Sequence, residues 1–418
     1  MPYGAKLRFK WKAKVLNWAE ALTDTHSKPV AKLVAEVSSG ILASGSLQLT
    51  EIARALKEPK RLHHTVKRLS RMLGKHVLWP ELEGQILSRL APTVTEDMIL
   101  AIDPGDLNRD GAPKSEHWGR VRDGSKGEIV GGYPLLNVVA RDLKKGTTLP
   151  LFCQLYSCRE KEFVSENNEI LTIMRRVQAA IGSKRLWVID RGGDRSALWN
   201  IWLKEDFDVL VRVTKQRHWL RGSFKGDVQE LAKQLPTKHR GKLRKGSDKD
   251  IRFGLTRVRL PEHPDRPLSL IVVRHGKREP MVLVSTRLVR GKRQGERLIH
   301  SYLDRWACEE GYRFSKQGFD FERVQARSYT VLRNLVALAM VSWAMLAQEQ
   351  HQSEELIQRG KRQKDKQRHR PKFPFYSILK GWQRLFSETT TLLHDRLRPG
   401  KPPGPLIQLT LPGLTPLL

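Results

Sequence analysis

The first 92 residues carry apolar side chains at three- and four-residue intervals, the spacing of amphipathic helices. The pattern is clearest over residues 15–22 and 30–37. Further along, the period changes to that of β-strands, so the sequence predicts a helical N-terminal region followed by a sheet.

Two apolar runs in the second region each end in an aspartate. Residues 98–103 end in Asp103 and are followed by a Pro-Gly breaker, and residues 186–190 end in Asp190. The other elements predicted here are strands at 131–139, 148–156 and 207–213 and helices at 165–181 and 196–203. Strand, strand, strand, helix, strand, helix is the order of an RNase H-like α/β layer. The predicted layer has one Asp at the end of its first strand and another at the end of its fourth.

A third carboxylate of such a layer is expected on a helix soon after the next strand, yet 119 positions separate Asp190 from Glu309. A whole strand-helix-strand unit takes only about 30 residues, so we expect an insertion. Residues 219–292 alternate or run apolar in three stretches, which predicts a mostly β insertion domain. Residues 335–347 are too short an apolar run to span a membrane and predict a buried core helix.

These patterns divide the chain into five parts. The predicted parts are a helical DNA-end-binding region at 1–95, an RNase H-like core at 96–215 and 296–350, a β-rich insertion domain at 216–295, and a basic C-terminal region at 351–418. Within the last part, residues 359–372 are a basic run, 373–385 predict a helix, and 399–405 are rich in Pro and Gly, which predicts flexibility.

Charge adds the expected partner. The 76 Lys and Arg residues outnumber the 44 Asp and Glu residues, so the net charge is +32 and the basic residues are spread over nearly every segment. Such a field favours a polyanion, with nucleic acid ahead of a membrane surface, because we find neither a secretory signal nor a spanning segment. Three cysteines without paired spacing support neither a disulfide framework nor a zinc knuckle. We therefore expect a cytoplasmic, nucleoid-associated protein with double-stranded DNA as its partner and no membrane.

Residues 49–75 contain the parts of a helix-turn-helix. A short amphipathic helix at 49–56 and a basic helix at 62–75 are joined by a break at Pro59. The outer face of the second helix carries His64, Lys67, Arg68 and Arg71, which predicts contact with a DNA major groove. The alternative is a basic helical hairpin without a role in DNA-end recognition.

Residues 302–316 contain four candidate functional side chains within 15 positions. On one helix, Tyr302, Arg305, Glu309 and Lys316 lie within a narrow face, so one carboxylate is surrounded by groups that favour phosphate. This predicts a metal-binding glutamate beside a DNA backbone. The alternative is a solvated helix face with an ion pair between Arg305 and Glu309.

Phosphodiester chemistry explains why three distant carboxylates matter. Two divalent ions about 4 Å apart neutralise the attacking and leaving oxygens if carboxylates hold them. Asp103, Asp190 and Glu309 are the predicted ligands, and oxygen ligands select Mg²⁺, with Mn²⁺ as a substitute. Asp194, four residues after Asp190, remains an alternative ligand, although the strand-end position favours Asp190.

Here the chain resembles a known family. Tyr302, Arg305, Glu309 and Lys316 match every spacing of the Tyr-x2-Arg-x3-Glu-x6-Lys signature, YREK, of a large group of DDE-class insertion-sequence transposases. The resemblance extends to Asp103, to the turn after Asp190 and to the long insertion, and so covers about residues 98–347.

The resemblance implies an RNase H-like core in which Asp103, Asp190 and Glu309 hold two Mg²⁺ ions. It also implies that Tyr302, Arg305 and Lys316 contact transposon-end phosphates, and that the enzyme cuts at element ends and joins the 3′ hydroxyl to target DNA. Family members act as dimers in a synaptic complex, and the C-terminal region is similar to their pairing element in position alone.

Two further expectations rest on the resemblance. In some members the insertion domain holds a flipped base against an aromatic ring, and Trp219 is the candidate for that stacking. Gly311, just after the glutamate, departs from good helix-forming composition, so we expect any kink of the helix there.

Three other functions remain possible from the residues. An RNase H-like nuclease or resolvase would use the same carboxylates without strand transfer. A non-catalytic DNA-binding regulator would need only the charge and the helical hairpin. A structural or ribosomal basic protein is disfavoured by the two strand-end aspartates.

Overall fold

The computed structural model describes residues 3–124, 127–243, 250–276, 278–361 and 373–387, and within them it forms a mixed α/β fold around a 12-stranded sheet. The strands are β1 Met98–Asn108, β2 Gly119–Arg122, β3 Ile129–Asp142, β4 Thr148–Leu155, β5 Leu186–Ile189, β6 Val209–Arg212, β7 His218–Arg221, β8 Phe224–Asp227, β9 His239–Lys242, β10 Asp250–Leu260, β11 His263–Arg274 and β12 Met281–Ser285. The α-helices are α1 Tyr3–Leu22, α2 Lys28–Ser44, α3 Leu49–Leu56, α4 Leu62–Lys75, α5 Trp79–Leu90, α6 Glu166–Ile181, α7 Ser196–Lys204, α8 Val228–Gln234, α9 Lys292–Asp304, α10 Trp306–Gly318, α11 Tyr329–Gln348, α12 Glu354–Gly360 and α13 Phe375–Ser387.

Five strands in the order β4-β3-β1-β5-β6 form the part of the sheet that positions the candidate site. β1 pairs antiparallel with β3 on one side and parallel with β5 on the other, and β5 pairs parallel with β6. Apart from the C-terminal end of β1, the predicted strands and helices of this region are confirmed to within three residues. β2, a four-residue strand paired with β3, was not predicted.

The Pro-Gly breaker after Asp103 does not end β1, which is a correction to the sequence analysis. β1 pairs with β3 along its whole length to Asn108, whereas its pairing with β5 stops at Ile102. Beyond that point one edge of β1 is free of a neighbouring strand, and a free edge is where a strand tolerates proline. Gly105 is required sterically, since a Cβ there would lie 2.8 Å from the Tyr312 ring.

The segment between β6 and α9 continues the same sheet. It consists mainly of strands, as predicted, and β12 pairs antiparallel with β6. The sheet then continues through β11 and β10, with β7 and β9 both paired to β10. Hydrogen bonds therefore run without interruption from the strands that carry the candidate aspartates into the inserted strands.

Two helices cover the sheet where it matters for the site. α11 is almost entirely buried and packs on β4, α2, α4 and α5, so the predicted core helix at 335–347 is confirmed. By length and composition α11 could cross a membrane, but 89% of its apolar window is buried inside the structure. α2 and α3 reach the length and apolar composition of a membrane span only when taken together, and a 96° bend separates them. α9 covers the opposite face, where Ile299 and Tyr302 belong to one hydrophobic cluster with buried residues of β1, β5, β6, β10, β11 and β12.

The N-terminal helices α1 to α5 share one continuous hydrophobic core with α11 and the sheet. α3 and α4 have the boundaries predicted for the helix-turn-helix, and the five residues between them include Lys57 with a left-handed backbone, φ 50°. At the other end of the chain, α13 begins two residues after the predicted start and packs against α2, α10 and α12. Most of the basic run at 359–372 and the Pro- and Gly-rich segment at 399–405 lie outside the described residues.

Candidate active site

Asp103 and Asp190 lie on neighbouring strands at the same level of the sheet. In the parallel pair of β1 and β5, Ile102 is the partner of Ile189, so the next residue on each strand is one of the two aspartates. Asp190 leaves the sheet to begin a short 3₁₀ turn at Arg191. The carboxyl ends of parallel strands meet at one edge, which brings both side chains to the same place.

Glu309 reaches this edge from α10, but not on the single helix predicted for residues 302–316. α9 ends at Asp304 and α10 begins at Trp306, with Arg305 at the junction. The backbone at Arg305 closes a tighter turn, in which its N–H donates to the carbonyl of Tyr302 at 3.2 Å. The prediction of one straight helix is therefore wrong.

Arg305 joins the three carboxylates. Its guanidinium lies 3.5 Å from Asp103 Oδ1 and 3.8 Å from Asp190 Oδ2, and it donates a hydrogen bond to Glu309. The Arg305 side chain is 8% exposed, whereas those of Asp190 and Glu309 are partly open to solvent. Three acidic side chains from distant parts of the sequence thus share one buried cation.

Tyr302 also faces this cluster, although its hydroxyl is already bonded. It donates to Asp190 Oδ1 at 2.6 Å, and its ring packs against the Arg305 guanidinium. Burial, reinforced by the negative charge of Asp190, raises the pKa of Tyr302 to about 12. In this conformation the hydroxyl positions Asp190, and its predicted contact with DNA phosphate remains a prediction.

The two aspartates have opposite protonation tendencies. Burial, opposed by the charge of Arg305 and reinforced by the charges of Glu309 and Asp190, raises the pKa of Asp103 to about 7. For Asp190, burial alone would raise the pKa, but the hydrogen bond from Tyr302 and the charge of Arg305 lower it overall. Asp103 is therefore the carboxylate whose charge most needs a neighbouring cation.

Lys316 belongs to a second cluster, which is a correction to the predicted single face. Its Nζ lies 2.9 Å from Asp106 Oδ2 and 2.8 Å from Glu322 Oε1. Burial alone would lower the pKa of Lys316, but its hydrogen bonds to Glu322 and Asp106 raise it overall. The Lys316 ammonium is engaged in ion pairs with these two carboxylates, so it does not contact phosphate in this conformation.

Asp194 has a structural environment. Its side chain is fully buried and accepts hydrogen bonds from Trp199 Nε1 at 2.8 Å and from the backbone N–H of Thr214 at 2.6 Å. The Thr214 hydroxyl also donates to it, and Arg217 Nε lies 2.8 Å away. The alternative ligand of the sequence analysis is thus satisfied by the protein, whereas Asp190 faces Asp103.

Trp219 and Gly311 have surroundings that differ from those predicted. Trp219 is completely buried, with its ring edge-on to Trp199, so its face is not available to stack on a base in this conformation. Gly311 lies inside α10 without a kink, because the break falls at Arg305 instead. A Cβ at Gly311 would lie 2.3 Å from the Trp343 ring, so this glycine allows α10 to approach α11 closely.

The predicted recognition helix α4 is only partly available to DNA. His64, Lys67 and Arg71 are exposed on one face. Arg68 instead donates to Glu36 Oε2 at 2.7 Å and to Glu58 Oε1 at 2.5 Å, and so holds α4 against α2 and the inter-helix turn. Three of the four predicted contacts therefore lie on an exposed basic face, and the fourth is a structural arginine.

Asn137 is a polar neighbour of the site that the sequence analysis missed. It is the cross-strand partner of Asp103 on β3 and is 2% exposed, and neither polar atom of its amide has a hydrogen-bond partner among the described residues. The signal was present in the sequence, because a lone asparagine interrupts the apolar run from Leu135 to Ala140. Buried polar groups are normally hydrogen-bonded, so an unpartnered amide beside Asp103 is unusual.

The donor chemistry at the site fits a hard divalent cation, since Asp103, Asp190 and Glu309 all offer carboxylate oxygens. Arg305 contacts all three of these carboxylates. In the described part of the chain, no three His, Cys, Asp or Glu side chains are close enough together to hold a metal ion. In this conformation the guanidinium provides the positive charge that the carboxylates require.

Comparison with known proteins gives matches among solved structures and no sequence match. No protein-family model matches the chain, and no curated protein matches it. Among solved structures, the chain is similar to piggyBac transposase in the cryo-EM structure of its synaptic complex with hairpin DNA. That similarity covers 94% of this chain and 84% of the other at 12% sequence identity, with a TM-score of 0.47.

Proposed function

We propose that the chain is a DDE-class DNA transposase of an insertion sequence, with the YREK signature at residues 302–316. In this proposal it hydrolyses phosphodiesters at the element ends and transfers the 3′ hydroxyl into target DNA. The observation that carries the proposal is the shared contact of Arg305 with Asp103, Asp190 and Glu309. Residues 202 positions apart in the sequence have little reason to converge on one partly open edge unless they act together.

The strand arrangement supports an RNase H-like core within this proposal. The strand order is β4-β3-β1-β5-β6, in which β3 is the antiparallel neighbour of β1, and β5 and β6 run parallel to β1. The inserted strands then extend this layer at β6. Sites in such open sheets form beyond the carboxyl ends of the parallel strands, where Asp103 and Asp190 lie.

Each residue has a stated role. Asp103, Asp190 and Glu309 would hold two Mg²⁺ or Mn²⁺ ions, which supply charge neutralisation at the attacking and leaving oxygens. Tyr302 fixes the orientation of Asp190 through its 2.6 Å hydrogen bond. Arg305 keeps the three carboxylates together, and its planar fork suits a phosphate once DNA approaches. His64, Lys67 and Arg71 on α4 would contact the DNA duplex.

The proposal extends to partners and location. Double-stranded DNA is the substrate, as both transposon end and target, and two copies of the chain would bind two ends in a synaptic complex. A bacterial cytoplasm, in association with the nucleoid, is the expected location. Sedimentation of the protein with end-containing DNA tests the assembly, since a complex with the mass of one chain and one DNA end contradicts it.

The decisive experiment is incubation of the full chain with DNA carrying the sequences that flank its own gene, with and without Mg²⁺. We expect end-specific nicks that require the metal and disappear in Glu309→Gln. Glu310→Gln is the matched control, because the neighbouring carboxylate pairs with Arg313 instead of Arg305. Loss of nicking in both variants, or metal-independent nicking, rejects the proposal.

Two further readouts separate the competing functions. A pre-cut end that is joined to target DNA identifies a transposase, whereas nicking without joining identifies an RNase H-like nuclease. A regulator would keep all of its activity in Asp103→Ala, because DNA binding alone does not need the buried carboxylate.

A further inference from the structure

Three arginines lie side by side across the inserted part of the sheet. Arg252 on β10 is the direct register partner of Arg240 on β9 and of Arg274 on β11. Partners in antiparallel strands project from the same face, so the three side chains form one row, here called the arginine row. Arg240 and Arg252 are exposed, and Arg274 is half-buried.

The arginine row carries unbalanced positive charge. Like charges directly opposite each other destabilise a sheet, so the arrangement has a local cost. Among the described residues, Arg274 donates a hydrogen bond to the Ala232 carbonyl at 2.6 Å. The adjacent acidic residue, Asp250, instead pairs with Lys242 at 3.0 Å.

The dimensions of the row suit a nucleic-acid backbone. Neighbouring strands are about 4.8 Å apart, so three arginines in a row span about 10 Å. One DNA strand rises about 3.4 Å per phosphate, so this length corresponds to about three phosphates. A guanidinium donates two parallel hydrogen bonds to one phosphate group, which suits arginine better than lysine for such contacts.

The row also lies at the edge of the sheet that carries the candidate active site. β5 and β6 end at this edge, β12 and β10 begin there, and β11 ends there at Arg274. The row occupies the third to fifth strand from β5, which is about 14 to 24 Å across the sheet. The same span is about four to seven base pairs of duplex DNA.

We propose that Arg240, Arg252 and Arg274 form a binding site for the phosphate backbone of duplex DNA. The continuous sheet sets the separation between this site and the reacting phosphodiester, and that second part rests on the proposed function. The side chains project from the face opposite α9, so the duplex crosses the sheet edge between the two sites.

The first experiment measures binding of the full chain to a fluorescein-labelled duplex of arbitrary sequence by anisotropy, over a series of salt concentrations. Each phosphate contact contributes about 0.9 to the slope of log affinity against log salt concentration, which is about an eightfold change in affinity for a tenfold change in salt. Arg252→Ala is expected to lower the slope by that amount, and Arg252→Lys to preserve it. Thermal unfolding without DNA should show that Arg252→Ala is as stable as the parent chain or more stable, because repulsion is relieved.

Arg257→Ala is the matched control. Arg257 is exposed on the same strand, but it lies an odd number of residues from Arg252 and is paired with Ser269. We expect its slope to equal that of the parent chain. Equal losses in Arg252→Ala and Arg257→Ala overturn the proposal, since net charge alone then explains binding, and an unchanged slope in Arg252→Ala also overturns it.

A second experiment tests the separation. Phosphate ethylation about four to seven base pairs from the nicked bond should weaken binding of the parent chain and leave the triple alanine variant of the row unaffected. Interference by the same phosphates in both proteins overturns the inference. If the parent chain binds through Arg252 but nicks no DNA, the arginine row stands and only the proposed function fails.

Discussion

Replacing Arg305 by glutamine removes the cation that three carboxylates share, and this change gives the sharpest test of the site. At an effective dielectric constant of 20, two charges about 4 Å apart attract by about 4 kcal/mol. The contacts to Asp190 and Glu309 are screened by solvent, whereas Asp103 is the most buried of the three. Loss of one partner of a buried pair commonly costs about 3–5 kcal/mol, and we expect about 3 kcal/mol here at pH 7.5.

A divalent cation should reverse this loss. At a hundredfold excess over its dissociation constant, a ligand of the folded state adds about 2.7 kcal/mol of stability. In the parent chain the metal must compete with the guanidinium, so stabilisation by Mn²⁺ should be larger in Arg305→Gln. Urea unfolding of both proteins with and without 5 mM Mn²⁺ (about a hundredfold excess for a site of about 50 μM affinity) measures the difference.

Arg313→Gln is the control for this comparison. Arg313 lies on the same helix and pairs with Glu310 at 2.7 Å, but it is half-exposed and outside the carboxylate cluster. Its loss should cost less than about 1 kcal/mol and leave the effect of Mn²⁺ unchanged. If Mn²⁺ stabilises Arg305→Gln no more than the parent chain, the carboxylates do not form a cation site and the reasoning is refuted.

Three further predictions follow from individual contacts. The pKa of Asp103 is about 7 in the folded protein and about 4 in the unfolded chain, so the free energy of unfolding falls as pH rises from about 4 to 7. Asp103→Asn should therefore be more stable than the parent chain at pH 8, by at most about 4 kcal/mol. Equal stability of the two proteins contradicts the assignment. Gly311→Ala should destabilise the protein by about 1–3 kcal/mol in thermal unfolding, because the added Cβ meets the Trp343 ring. Gly192→Ala is the control and should be neutral, because Gly192 has open space around it. A gain in stability for Gly311→Ala would mean that helix propensity dominates. Asp194→Ala should lower the free energy of unfolding by about 3–5 kcal/mol, because the substitution removes the acceptor of several buried donors. A variant that folds with unchanged stability but is inactive would instead make Asp194 a catalytic group.

The elements around the site were predictable where one periodicity persisted. Apolar runs before Asp103 and Asp190 identified two neighbouring strands, and the alternation in 251–260 identified β10 to within one residue. β7, β8 and β9 were missed because each has four residues and polar composition, which gives no periodic signal. Short strands of this kind form because a neighbouring strand offers hydrogen bonds, and the sequence of the strand itself does not record that.

The geometry of the signature residues depended on tertiary contacts. Residues 302–316 lack a strong breaker at Arg305, so local sequence predicted one helix, whereas the structure bends where Arg305 turns toward Asp103. Lys316 was separated from the cluster by Asp106, a residue whose role depends on the continuation of β1 through proline. Burial of Trp219 likewise follows from its packing on Trp199, which residue spacing does not reveal.

The pairing of β12 with β6 has a practical consequence for anyone who wishes to shorten this chain. Deleting the inserted strands would strip β6 of its partner and leave a row of bare amide and carbonyl groups open to solvent. Exposed edge strands of this kind pair with strands of other chains and promote aggregation. A shortened version of the protein would therefore need a replacement strand beside β6, or charged residues and proline on its exposed edge. The inserted strands both extend the sheet and cover the edge of β6.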